Sequence, residues 1–455
     1  MCRWSDLGWA DAVATIDHSR STIRRLIGTN SEEAGTVRRI PLALAMSLLC
    51  ASSLFAASEE WPKWLGPNGG GISHEPIAQK WPEKGLPKVW EQKVGLGYSS
   101  PIGFEGKVYL FTQKGDQDTL TAFEADTGKV VWSQGYPVTI KADQGQAKNT
   151  SNGMPLPLAT PTIDNGRIYT YGGGGDLVCR KLEDGSLVWQ LNVLKATSAR
   201  IIAWNEASSP LVTDKLVFVQ GGRGGPTAVA VNKDSGKIFW MSEAKTLGGY
   251  SAPIIADVDG APQLVIFGGD TLYGMSPETG KTLWATPWKT MFDVNAATPV
   301  YRDHKLFISS DYGHGSMMLT LSANGAKEDW PNPDKNILCK YQPPIFDNGV
   351  VYANSMGILK CMHWPDGKIL WKGRDGDLQE GGTLVRDGDK LVAMSQDGTL
   401  SLIEATPEAH KVISQFHVFD FGTVWSTPLI YHGKLYAMGK DQLVCFDITP
   451  GVAQK

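Results

Sequence analysis

From residue 88 onward the polar and apolar positions fall into one recurring pattern, and that pattern predicts short β-strands throughout. Each unit opens with a small residue followed by proline, as in Ala159-Thr160-Pro161 and Ala297-Thr298-Pro299. A turn follows, then a β-branched or aromatic strand, as in Asp164-Asn165-Gly166-Arg167-Ile168-Tyr169. A Gly/Asp turn leads to a third strand, and a turn glycine precedes a fourth that carries tryptophan. Asn165-Gly166, Asn348-Gly349 and Asp397-Gly398 are two-residue hairpin signals, because they tolerate the positive φ such turns need. The strand-start positions are Pro101, Pro161, Pro210, Pro253, Pro299, Pro344, Leu384 and Pro428, spaced 60, 49, 43, 46, 45, 40 and 44 residues apart. Eight units of about 45 residues with four short strands each predict an all-β, eight-bladed β-propeller.

The ends of the array predict how the ring closes. The eighth unit, Thr427 to Asp447, supplies three strands, whereas Val89-Trp90-Glu91-Gln92 is a Trp-bearing fourth strand with no unit before it. Open strand edges recruit other chains, so the N-terminal strand is expected to complete blade eight. The propeller then spans residues 88–448, with a lead-in over 58–87 lying against it and a tail over 449–455. The 60-residue first spacing is assigned to an insertion over 134–157, rich in Gly, Asn and Pro, expected as a surface excursion.

Within the repeat, the tryptophan stands four residues after the turn glycine in Gly128…Trp132, Gly185…Trp189, Gly236…Trp240, Gly280…Trp284 and Gly367…Trp371, and five after it in Gly325…Trp330. Glycine supplies the turn's positive φ, and tryptophan offers a flat face for the groove between blades. These rings and Trp90 are read as packing residues. Six residues before the turn glycine stand Ala122, Cys179, Ala230, Gly274, Cys361 and, before Gly451, Cys445. All are small, so the slot is crowded. Cys179, Cys361 and Cys445 then fall in blades two, six and eight, which are not neighbours, and cannot pair with one another. Cys339 lies near the channel mouth, away from Cys361, so four reduced thiols are expected in the exported chain.

Composition narrows the class. With 42% hydrophobic and 20% charged residues the chain can bury a core. The balance of 43 Lys+Arg against 47 Asp+Glu excludes a basic nucleic-acid binder. Residues 1–57 differ from the rest: Arg38 and Arg39 precede an apolar stretch from Ile40 to Phe55, followed by Ala56 and Ala57. That is the layout of a secretory signal over residues 37–57, too short to span a bilayer. Export to the periplasm or cell surface follows, with no transmembrane anchor in the mature chain. Residues 1–36 are odd upstream of such a signal, and translation starting at Val37 would give a conventional leader.

The small-Pro start, the turn Ala122-Phe123-Glu124-Ala125-Asp126-Thr127-Gly128 and the docked tryptophan together resemble the pyrroloquinoline-quinone-like eight-bladed propellers. The resemblance runs over nearly the whole mature chain, and Trp61-Pro62-Lys63-Trp64-Leu65-Gly66-Pro67 looks like the lead-in of exported bacterial members. The family includes quinoprotein alcohol dehydrogenases and a propeller lipoprotein of the outer-membrane barrel-assembly machinery. In the dehydrogenases the resemblance implies pyrroloquinoline quinone stacked between a Trp and a vicinal disulfide, with Ca²⁺ and a catalytic Asp. Here Cys2, Cys50, Cys179, Cys339, Cys361 and Cys445 include no adjacent pair, and no Cys-x-x-Cys-His haem motif occurs. No catalytic residue, metal site or cofactor is assigned. A quinoprotein-type oxidoreductase holding the quinone and Ca²⁺ is the alternative reading.

Propellers bind at the mouth of the central channel, where loops lead into the innermost strands. Three positions before each strand start stand Tyr98, Leu158, Ala207, Tyr250, Ala296, Tyr341, Gly381 and Trp425, with Asn205, Glu206, Asn295, Gln342 and Glu380 beside them. Tyr98, Tyr250, Tyr341 and Trp425 with these polar neighbours are the candidate ligand residues, suited to a peptide, a sugar or a flat ring. Arg223, Asp311 and His314 are weaker candidates from the loops between second and third strands. The function expected is an exported, non-catalytic binding or assembly module that engages an envelope protein or a saccharide.

Overall fold

A computed structural model describes residues 59–138, 150–151, 154–330, 336–374, 378–420 and 423–452. The leader assigned to 1–57 lies outside these residues. The remainder forms eight antiparallel four-stranded blades, seven of them in chain order from the channel outward. Blade one is Ile102–Phe104, Lys107–Lys114, Gln117–Glu124 and Val130–Pro137. The last sheet is closed as the repeat requires: Lys88–Lys93 pairs with Gln442–Asp447, Trp90 standing opposite Cys445. The free edge at each end of the array is thereby removed.

The docked tryptophans show why the turn needs glycine. Each indole N–H donates to a carbonyl of the next blade's turn: Trp90 to Ala125 at 2.9 Å, Trp132 to Leu182 at 3.2 Å, Trp189 to Lys233 at 2.9 Å and Trp240 to Pro277 at 3.0 Å. Trp330 and Trp371 repeat the contact on Pro365 and Thr406. Except for Trp371, whose ring meets His410 in a turn without glycine, the ring lies on that turn's glycine, and a Cβ on Gly236 would stand 2.6 Å from the Trp189 ring. The glycine thus serves both its own positive φ, +69° at Gly236, and the preceding blade's tryptophan. Trp284 departs from the scheme. Its N–H donates to Gln263 Oε1 at 2.7 Å, and the Gln263 amide passes the contact on to the Ser322 carbonyl of blade five at 2.9 Å.

The small third-strand slot has an equally local cause. Ala122, Cys179, Ala230, Cys361 and Cys445 each stand in register between an outer-strand tryptophan and a second-strand aromatic. The two rings meet over the small residue, with centroids 6.0 Å apart for Tyr169 and Trp189 and 5.8 Å for Phe218 and Trp240. A larger side chain there would separate them.

The position before each strand-start proline links blades through hydroxyls. Thr427 N–H donates to Ser100 Oγ at 2.9 Å, Ser100 N–H to Thr160 Oγ1 at 3.2 Å and Thr160 N–H to Ser209 Oγ at 2.9 Å. Blades eight, one, two and three are thereby joined around the channel.

The lead-in does more than lie against the ring: it braces the channel's far mouth. Trp61 exchanges backbone hydrogen bonds with Gly103 of blade one at 2.8 and 3.0 Å, and Ile163 N–H of blade two donates to the Pro62 carbonyl at 2.7 Å. Trp64 Nε1–H then reaches Thr298 Oγ1 of blade five at 3.3 Å. Ile72–Ser73 pairs in parallel with Arg386–Asp387, adding a fifth strand to blade seven. Further on, Trp81 packs edge-on against Phe416 of blade seven at 5.7 Å and its backbone N–H donates to Ser414 Oγ at 2.9 Å. Blade seven has no outer-strand tryptophan, and Trp81 supplies the missing ring.

The insertion expected at the surface returns to the interior at its end. Pro155, Leu156 and Pro157 are buried. Gln113 Nε2–H donates to the Pro155 carbonyl at 2.9 Å and Tyr98 N–H to the Pro157 carbonyl at 2.9 Å. Strand register requires this, because Leu158 must arrive at the channel to begin blade two.

Candidate ligand funnel

At the end where the innermost strands begin, the ring opens into a cavity of about 120 Å³. Tyr98, Leu158, Ala207, Tyr250, Ala296, Tyr341 and Trp425 all line it, one from each of seven loops. Gly381 of the eighth loop does not; a Cβ on it would stand 2.4 Å from the Trp425 ring. Two aromatic groups form the wall. Trp425 lies between Tyr98 at 4.6 Å and Tyr341 at 4.8 Å, tilted to both, while Trp204 meets Tyr250 at 6.2 Å. Burial raises the phenol pKa of Tyr98, Tyr250 and Tyr341, so these are neutral hydroxyls in an apolar cup.

Asn205, Glu206, Asn295 and Gln342 do not reach the cavity. Glu206, Asn295 and Gln342 each flank an inward-facing residue, and alternation along the chain turns them away from the channel, whereas a left-handed backbone at φ +70° turns Asn205 away. The side chains of Asn205, Asn295 and Gln342 tie blades together instead. Asn295 Nδ2–H donates to the Gly268 carbonyl at 2.8 Å and its Oδ1 accepts from Ser310 Oγ at 2.7 Å. Gln342 Nε2–H donates to the Leu384 carbonyl of blade seven at 2.6 Å. Asn205 Nδ2–H donates to the Leu156 carbonyl at 3.4 Å. Glu206 is fully buried behind Trp204, Oε1 accepting from Ile202 N–H at 3.4 Å. Burial pushes its carboxyl up to about 8 against the opposing Ile202 hydrogen bond, so it is protonated at neutral pH.

Glu380 stands near the rim in an ion pair with Lys340, whose ammonium also lies 3.8 Å from Asp311 Oδ2. The same ammonium sits over the Tyr312 ring at 5.2 Å and the Tyr341 ring at 5.6 Å. Arg223 pairs with Asp293 at 3.4 Å, and His314 meets the Trp288 ring edge-on at 4.4 Å.

Three aromatic wall residues escape the repeat arithmetic: Trp204, Tyr312 and Trp64. Trp204 stands directly before Asn205, Tyr312 directly after Asp311, and Trp64 comes from the lead-in to form the cavity floor. Beyond the wall, Met291 and Phe292 are 60% and 59% exposed, and Phe292 holds φ at +66°. Phe292 lies edge-on to Trp204 at 6.2 Å and to Tyr312 at 5.7 Å, which carries the aromatic surface from the cup onto the rim.

The residues present do not fit the quinone of the dehydrogenases. All four described cysteines are buried away from the wall, Cys339 in the core between blades five and six. Among the described residues no three His, Cys, Asp or Glu side chains are grouped as a metal would need. The cavity is also smaller than the roughly 300–1,000 Å³ usual for cofactor pockets.

Eight four-stranded blades with tryptophans docked on the neighbouring turn, closed by the N-terminal strand, define a propeller of the pyrroloquinoline-quinone-like repeat class. A sequence model described as outer membrane protein assembly factor BamB matches residues 144–373, and the chain belongs to that family. It is 23% identical to the outer membrane protein assembly factor BamB of Yersinia pestis over 413 residues, covering 86% of this chain and 83% of that protein. The crystal structure of BamB from Moraxella catarrhalis superposes with a TM-score of 0.56 at 14% identity, covering 80% of this chain and 97% of that one. Quinohemoprotein alcohol dehydrogenase from Comamonas testosteroni superposes with a TM-score of 0.58 at 12% identity, covering 86% and 80%. At such identities the superpositions speak for the fold alone. No helix among the described residues is long and apolar enough to cross a membrane.

Proposed function

We propose that this protein is an exported, non-catalytic assembly factor of the outer membrane that holds a segment of an envelope protein at its aromatic funnel. The family supports the assembly role, and the signal-like leader supports export. The observation that carries the site is the continuous aromatic surface from the cup onto an exposed rim. Phe292 is 59% exposed although it adjoins the apolar cup, and an exposed aromatic patch of this kind supports an interaction surface. Tyr and Trp at a funnel suit a protein segment because they bury large area with few rotamers to fix. A photo-crosslinking residue placed at Phe292, in cells, is expected to capture an outer membrane protein or a component that assembles one. The same probe at the outer-edge residue Lys237 is expected to capture none. Equal capture at both positions overturns the funnel as the site. Dye-linked alcohol oxidation after reconstitution with the quinone and Ca²⁺ overturns the non-catalytic reading.

A further inference from the structure

Trp64 divides the channel. Above it is the funnel; below it, between the lead-in and the innermost strands of blades two to six, lies a second cavity of about 370 Å³. Its wall is apolar where Pro210, Pro253, Pro299 and Phe346 face it, and it has two cations, Lys63 and Arg302. Among the described residues no Asp or Glu lines it. The hydroxyls that do line it are engaged within the protein: Thr162 donates to the Pro210 carbonyl at 2.7 Å, Thr213 to the Leu216 carbonyl at 3.1 Å and Tyr301 to the Asp257 carbonyl, while Thr298 accepts from Trp64 and Ser209 from Thr160 N–H. Beside the Asn68 amide, what the cavity offers a ligand is therefore positive charge and apolar surface.

Neither cation is neutralised among the described residues. Arg302 donates Nη1–H to the adjacent Tyr301 carbonyl at 3.1 Å and lies 6.0 Å over the Phe346 ring, but joins no ion pair. Lys63 likewise has no ion pair. Burial lowers its pKa, and the field of Asp164 opposes this from a carboxylate that Lys233 already holds at 2.7 Å. Partly buried cations without a counter-charge are costly, and an anion held in the chamber against either of them reduces that cost.

We infer that this lower chamber is a binding site for a small organic anion with a compact apolar body. The anionic group would be met by Arg302 and Lys63 and the body by Phe346 and the prolines. A guanidinium is suited to a planar carboxylate or a phosphate, which it can meet with two parallel hydrogen bonds. The site is separate from the funnel, so it is independent of the assembly role proposed above.

Titration calorimetry with benzoate, benzamide and inorganic phosphate tests it on the full chain. Benzoate is expected to bind one to one, with benzamide and phosphate each at least tenfold weaker. Arg302→Gln and Lys63→Gln are each expected to weaken benzoate at least tenfold, and Trp425→Ala in the funnel to leave it unchanged. Should either charge variant fold poorly, Phe346→Ala still decides the matter by weakening benzoate but not phosphate. Benzamide binding as tightly as benzoate, an unchanged affinity in Arg302→Gln, or loss of binding in Trp425→Ala overturns the inference.

Discussion

Trp189 lies with its ring on Gly236 and its N–H on the Lys233 carbonyl of the next blade, while Trp425 lies between Tyr98 and Tyr341 with its N–H on the Gln396 side chain at 3.0 Å. The first belongs to a set repeated around the ring at a fixed distance from a turn glycine. The second is one of several aromatics that arrive on loops of different length and leave part of their surface in the cavity. The same residue type thus stabilises in one place and offers a binding surface in the other. A hydrogen bond to the next blade, direct or passed on through Gln263 for Trp284, marks the structural ring; a face on the cavity marks the available one.

Alanine replacements should separate the two most sharply. Trp189→Ala removes a buried ring and its inter-blade hydrogen bond, and should cost about 3–5 kcal/mol. Trp425→Ala removes a partly exposed ring from a surface cluster and should cost less than about 1.5 kcal/mol, while weakening capture of the partner. Urea unfolding of the two variants checks the order, and the reverse order would mean that the aromatic roles are exchanged.

Gly236→Ala attacks the structural set from the other side. The added methyl would sit in a left-handed conformation and 2.6 Å from the Trp189 ring. Backbone strain and overpacking together should cost about 2–4 kcal/mol. Gly388 has φ at +51° but nothing within 4 Å of its Cβ position, so Gly388→Ala should show the backbone part alone. Equal losses in the two variants would remove the ring's share of the argument.

Behind the funnel, Glu206 gives the binding region a pH dependence that the docked rings lack. Its carboxyl rises from 4.5 to about 8 on burial, so the folded state holds a proton that the unfolded chain releases. Stability should therefore be highest below about pH 4.5, fall as pH rises toward 8, and level off beyond. The loss attributable to this group is on the order of 2 kcal/mol, after allowing for relaxation of the loop around it. Asp118, raised to about 7 by burial between blades one and two, acts in the same direction. Glu206→Gln should flatten only part of the slope; an unaltered slope in that variant would show that Glu206 titrates normally.

The ring was legible because its signals are periodic: a proline, a glycine and a tryptophan recurring at fixed offsets report the blades, and the unpaired strand at Trp90 reports the closure. Counting three residues back from the strand start also reached the funnel wall, since that loop end is held in register by the strand it leads into. The polar neighbours Asn205, Asn295 and Gln342 were placed on the wall by adjacency, whereas alternation turns Asn295 and Gln342, and a left-handed backbone turns Asn205, into the ring. Trp204, Tyr312 and Trp64 were missed because they stand in segments that do not repeat. Trp64 reaches the channel only because the lead-in crosses it, and nothing in the chain's periodicity encodes that crossing.

The smallest effect should come from the slot where the two kinds of ring packing leave least room. Cys179 stands between Tyr169 and Trp189 in the register that Ala122 and Ala230 occupy in blades one and three. Cys179→Ala therefore installs a residue the fold already accepts, and should cost about 1 kcal/mol or less. Cys179→Leu should cost more than Cys179→Ala, because the extra carbons must part the two rings. Burial pushes the Cys179 thiol up to about 11 and those of Cys339, Cys361 and Cys445 up to about 12, which keeps them as thiols at neutral pH. A chain cleaved at the end of the signal-like leader, and so lacking Cys2 and Cys50, should titrate four thiols when denatured without reductant. A count of two or zero would show that the cysteines of blades two, six and eight do not occupy the separate slots that their shared register assigns to them.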